Sequence, residues 1–177
     1  MRSPERGEHW LQGTYREVLP PERLVFTHCW LNADGKSGKE TLVTIVFKDC
    51  DGKTELTLRQ TGFKSVESGD GHEQGWASTL ERFNEYVATL CLEILNPDQR
   101  IKITTTKTVA EEPGDNREIV ITRVLHAPRE MVWNAMIDPQ QVVNWWGPHG
   151  FTTTVHELDV RLGGVWRQGP VTVSAKG

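Results

Sequence analysis

The stretch KTELTLRQTGFKSVESGDGHEQGWASTLERFNEYVATL, residues 53–90, decides the fold, because its apolar period changes midway. From Lys53 to Thr61 the residues alternate, with Leu56, Leu58 and Gln60 on one face. A period of two is that of a half-buried strand. From about Gly71 to Leu95 the pattern is different. Trp76, Leu80, Phe83, Val87 and Leu90 make one helical face, and Glu73, Glu81, Arg82 and Glu85 lie largely off it. A strand running into a long amphipathic helix predicts an α+β fold. The helix lies across the sheet, since each has an apolar face to cover.

Working outward from that stretch, Asp51-Gly52 is the favoured pair for a tight hairpin turn. Before it, Glu40–Lys48 puts Leu42, Thr44 and Val46 on one face and Val43, Ile45 and Phe47 on the other. Arg23–Leu31 is β-branched and aromatic and stops at the turn residues Asn32 to Gly35. Glu8–Leu19 carries Trp10, Leu11, Tyr15 and Val18 and ends at Pro20-Pro21, which cannot continue a ladder. Four strands with short connections predict an antiparallel meander. After the helix, Asn96-Pro97-Asp98 is a stop. Ile101–Val109 is rich in Thr and Lys and is at most an edge strand, whereas Arg117–Leu125 reads as a full strand. Pro128–Ile137 is a short helix with Pro128 at its first position and Val132, Trp133 and Met136 on one side. Asp138 caps a second short helix with Pro139 at its first position, running into Trp145-Trp146. Phe151–Arg161 is a strand, Gly163-Gly164 a turn, Val165–Arg167 the start of another strand, and residues 168–177 an irregular tail.

The chain of 177 residues suits one well-cored domain, and 25% charged against 37% apolar side chains places it among globular chains. A net charge of −4 without a basic block weighs against nucleic acid and anionic membranes as partners. No apolar run approaches the roughly 20 residues of a membrane span, and MRSPERGEHW is no signal peptide, so a cytoplasmic location is expected. Cys29, Cys50 and Cys91 are odd in number and lack C-x-x-C spacing, which fits half-buried thiols. His9, His28, His72, His126, His149 and His156 show no ligand spacing, so no metal is expected. No phosphate-binding glycine loop or nucleophile elbow occurs, so neither a cofactor nor a hydrolase triad is expected. Seven tryptophans suit a domain that packs large rings or lines a pocket.

Two long segments resemble one family. APRE-x-VW, DP-x-x-x-x-x-WWGP and the Gly-Gly turn, within residues 117–167, are similar to the beginning of its domain. YREV-x-PPERLVFTH and GW-x-x-x-L-x-x-F, within residues 13–90, are similar to the end. The family is that of bacterial proteins similar to the activator of heat shock protein 90 ATPase, in the START-like (SRPBCC) superfamily. The resemblance implies a helix-grip fold: a seven-stranded antiparallel sheet curved around a long helix, two short helices, and an apolar cavity between sheet and long helix. The order of the halves departs from the family. Residues 1–95 match its C-terminal half and 117–167 its N-terminal half, with a linker over 96–116. Met1-Arg-Ser-Pro4 resembles the interior of the family's third strand, and Val165–Arg167 its beginning. A fused pair of fragments, a circular permutant, and a homodimer exchanging halves each account for this order. An extended linker spans up to roughly 65 Å, enough to cross a domain about 30–40 Å wide.

The resemblance and the aromatic load together imply a small hydrophobic or amphipathic ligand. Its expected contacts are Trp10, Tyr15, Phe26, His28 and Trp30 on strands, Gln60 as a polar anchor, Trp76, Leu80 and Phe83 on the long helix, and Trp133 and Trp145 on the short ones. Three other readings stay open. One is a chaperone-cofactor domain, as the family name implies. The second is a cyclase or hydratase with His28 as general base. The third is a rearranged fragment without function. Binding is expected ahead of catalysis.

Overall fold

The computed structural model describes residues 1–3, 7–31, 35–94 and 118–170. The linker and the proposed edge strand at 101–109 fall outside these residues, as does the tail beyond Pro170. Among the described residues, no helix is long and apolar enough to cross a membrane.

Strands β1 (Arg2–Ser3) and β2 (Gly7–Glu8) pair with each other as a small antiparallel ribbon. The expectation that Met1–Pro4 is the interior of a main-sheet strand is therefore corrected at Arg2 and Ser3, which pair with Glu8 and Gly7 instead. The meander follows as predicted, with β3 (Trp10–Leu19), β4 (Arg23–Leu31), β5 (Thr41–Cys50) and β6 (Lys53–Thr61). Asp51 and Gly52 both have positive φ, 54° and 77°, which is the mirror-image turn that matches strand twist. Helix α1 (Val66–Ile94) starts five residues before the apolar pattern does. The Ser65 hydroxyl accepts from the Ser68 amide at 3.3 Å and caps the first turn, which precedes the apolar pattern.

The second half supplies β7 (Ile119–Leu125), α2 (Arg129–Ile137), α3 (Pro139–Trp145), β8 (Thr154–Leu158) and β9 (Val165–Gly169). Asp138 caps α3 as expected, its carboxylate accepting from the Gln140 amide at 2.9 Å. Pro128 stands one residue earlier than expected, as the cap of α2. Strand β8 is shorter than Phe151–Arg161. The residues before it are tied to α1, and those after it turn tightly, with the Gly164 amide donating to the Arg161 carbonyl at 2.8 Å. Gln168 and Gly169 complete β9, which corrects the irregular tail assigned to them.

All seven large strands form one antiparallel sheet in the order β7-β6-β5-β4-β3-β9-β8. The meander sits in the middle, and the late strands flank it on both sides. β7 pairs with β6 from Thr54–Leu125 to Gln60–Ile119, and β9 pairs with β3 from Leu11–Gln168 to Thr14–Val165. Helices α2 and α3 carry the chain from one edge to the other.

The inward faces are those the alternation predicts: Val43, Ile45 and Phe47 on β5, Leu56, Leu58 and Gln60 on β6. They meet Trp76, Leu80, Phe83 and Val87 of α1, all buried. Fully burying an apolar side chain of this size stabilises the fold by roughly 1.5–3 kcal/mol. Trp133 of α2 packs edge-on against Phe47, ring centroids 5.4 Å apart. Gly13 marks a place where both halves leave no room for a side chain. A Cβ there would stand 1.7 Å from the Thr27 carbonyl oxygen and 2.4 Å from Trp166 Nε1, which itself donates to that carbonyl at 3.1 Å.

Candidate functional site

Strand β4 points Leu24, Phe26, His28 and Trp30 inward in succession. The first two belong to the core. The last two reach the end of the sandwich where α1 begins, and there the layers leave a cavity of about 360 Å³. Its sheet wall is His9 and Leu11 with His28 and Trp30. Its helix wall is Gly71, His72, Gly75, Trp76 and Thr79, and its cap is Trp146 to Pro148 with Phe151. Met1 also reaches it.

The walls are held by two hydrogen-bond chains. Trp30 Nε1 donates to His72 Nε2 at 3.0 Å, and His72 Nδ1 lies 2.7 Å from the Ser68 carbonyl oxygen. An indole N–H only donates, so Nε2 accepts, and Nδ1 carries the hydrogen given to Ser68. The second chain runs through the core. Trp76 Nε1 donates to Gln60 Oε1 at 2.6 Å, Gln60 Nε2 to Thr41 Oγ1 at 2.8 Å, and Thr41 Oγ1 to the His28 carbonyl at 3.0 Å. Gln60 is 0% exposed, and both ends of its amide are engaged by protein. It therefore pins Trp76 to the sheet and stands behind the wall, not on it.

His28 is 5% exposed, and its Nδ1 has no hydrogen-bond partner in the protein. Burial above all, and then the neighbouring His72 ring 5.6 Å away, push its pKa down to about 3. The ring is uncharged at neutral pH.

The cap is clamped from α1 by Arg82. Its Nη1 donates to the carbonyls of Gly147, Pro148 and Phe151 at 2.9, 3.2 and 3.2 Å, and Nη2 to that of Asn144 at 3.1 Å. These carbonyls include free ones at the C-terminal end of α3, where the helix dipole also favours a cation. Burial lowers the Arg82 pKa, offset in part by Glu85. The His149 amide adds a bond to Ser78 Oγ at 2.9 Å.

Of the residues expected at a ligand, His28, Trp30 and Trp76 line this cavity. Tyr15 and Phe26 instead line a separate space of about 10 Å³ with Trp146, Trp166 and Gln168, room for about one water. Burial, and secondarily Asp159, raise the Tyr15 hydroxyl's pKa. Trp10 lies on the opposite sheet face from Leu11, over His156 (4.7 Å between centroids) and under the Arg167 guanidinium. Leu80, Phe83 and Trp133 are core. Trp145 is also core, stacked on Phe83 at 4.3 Å with its indole donating to the Ala135 carbonyl at 3.0 Å, and its neighbour Trp146 faces the cavity. Sequence reasoning gave no ligand role to His9, His72, Phe151 or the helix glycines, and of the pair Trp145-Trp146 it named Trp145 as the ligand contact. His72 carried a signal, since it stands one turn before Trp76 on the same face.

A long helix gripped by a curved antiparallel sheet, with two short helices at one end and a cavity between the layers, defines a helix-grip domain of the START-like kind. The family model described as "Activator of Hsp90 ATPase homolog 1-like protein" matches residues 1–88 and 126–174, about three quarters of the chain, and the chain belongs to that family. No curated protein and no solved structure is similar enough to count as a match.

Proposed function

We propose that this chain is a binding module that takes an uncharged, hydrophobic or amphipathic small molecule into the cavity at the start of α1. The observation that carries the reading is the lining. Three tryptophans and Phe151 surround about 360 Å³, within the range of small-molecule sites, and among the described residues no Lys, Arg, Asp or Glu lines the space. A charged ligand would leave water there without a partner, at a cost that apolar contact does not offset. Histidine chemistry points the same way. An imidazole with a pKa of about 3 is a weak base at neutral pH, which favours binding over the cyclase or hydratase reading of His28.

The chain is read as one domain whose halves run in reversed order relative to the family. The β3–β9 pairing supports this, because it joins the two family-matched segments in one sheet, and β7, just before the second segment, completes the other edge against β6. Light scattering during size-exclusion chromatography tests it: a compact monomer is expected, and an obligate dimer points to exchanged halves. The binding reading is tested with Nile red, an uncharged apolar dye. Saturable fluorescence enhancement together with a raised Tm is expected. Absence of both with the folded chain would sink it.

A further inference from the structure

Two glycines in the interior of a helix are an anomaly, because each costs about 1 kcal/mol relative to alanine. Proteins keep such a glycine where its φ is positive or where a neighbour leaves no room. Gly13, Gly164 and Gly169 are of the second kind, with atoms within 1.7–2.2 Å of an added Cβ. Gly71 and Gly75 are of neither kind. Their φ values are not positive, and a Cβ on either meets no atom within 4 Å. The open space beside them is the cavity, which both line one turn apart on α1. Gly71 is exposed and Gly75 half-buried, so the pair runs from the mouth inward to the buried Trp76 and Thr79.

We infer that Gly71 and Gly75 are the size-determining positions of the site, forming a bare-backbone bed for the apolar body of a neutral ligand. This rests on the binding reading above and adds what selects the ligand. A side chain at position 75 occupies the space the ligand body takes, with no cost to the fold.

The test uses the full chain, Nile red as a large probe, and naphthol and naphthalene as small ones that differ by one hydroxyl. Gly75→Ala is expected to hold or raise Tm and to weaken Nile red several-fold. Gly75→Leu is expected to weaken Nile red at least about tenfold while changing naphthol, measured by calorimetry, by no more than about threefold. If wild type binds none of the three probes, this inference and the binding reading both fall. If wild type binds and Gly75→Leu leaves Nile red unchanged, or if Gly75→Ala lowers Tm, the inference alone falls. Loss of all three probes in folded Gly75→Leu also overturns it, since size selection requires that the small ones stay.

Discussion

Lowering the pH should destabilise the protein through His28 by a calculable amount. In the fold its pKa is held at about 3 by burial and by His72, against about 6.5 for an unperturbed histidine. Between those values the unfolded chain binds a proton that the folded chain refuses. The contribution to stability is therefore complete above about pH 6.5 and is lost as the pH falls through the window toward 3. One proton of difference gives a slope of about 1.4 kcal/mol per pH unit, and integration from pH 7 to pH 5 gives about 2 kcal/mol. The integral depends only on the folded pKa lying well below 5. Urea unfolding of wild type and His28→Gln at both pH values isolates this group from the other histidines. Wild type should lose about 2 kcal/mol more than the variant. Equal losses would mean that the imidazole is solvated or paired in the fold, and the account of the cavity wall would be refuted.

Arg82→Met should cost about 2–3 kcal/mol, because four backbone carbonyls lose a charged donor. Thermal unfolding reads the loss, and hydrogen exchange at the His149 amide should accelerate more than exchange in the β5 ladder. Gln60→Leu should cost about 1–3 kcal/mol by stranding the buried Trp76 Nε1 and removing the donor to Thr41 Oγ1, which keeps its bond to the His28 carbonyl, despite nearly equal volume. Gln60→Glu, which keeps an acceptor for Trp76, should recover part of that loss in urea unfolding.

Period and punctuation made most of the fold legible. Asp51-Gly52 fixed a hairpin through the φ values that only such residues adopt readily, and Asp138-Pro139 fixed a helix start through a cap and a missing N–H. The site was less legible for a geometric reason. Alternation tells which face of a strand turns inward, but not where along it the sheet and helix part. Phe26 and His28 share a face, yet one packs on Trp166 and the other borders the cavity. Trp145 and Trp146 are adjacent with opposite destinations, decided by the end of α3 and the Arg82 clamp. Gln60 was correctly placed inward, but its role followed from partners that lie 16 and 19 residues away along the chain. The glycines at 71 and 75 fell inside the predicted helix, and only their empty surroundings show what they leave open.

The arrangement of the sheet also sets a timetable. As the chain leaves the ribosome, the meander and α1 emerge first, with both outer ladders unsatisfied. At about 5–20 residues per second, β6 waits roughly 3–12 s for β7, and β3 waits roughly 7–30 s for β9. During that interval two open strand edges and the apolar flank of α1 are exposed together, the condition under which nascent chains pair with one another. The contacts that end it join residues more than a hundred positions apart at β3–β9, so closure is slow by topology. The vulnerable moment in this protein's life therefore falls during synthesis, before the native ladder has closed.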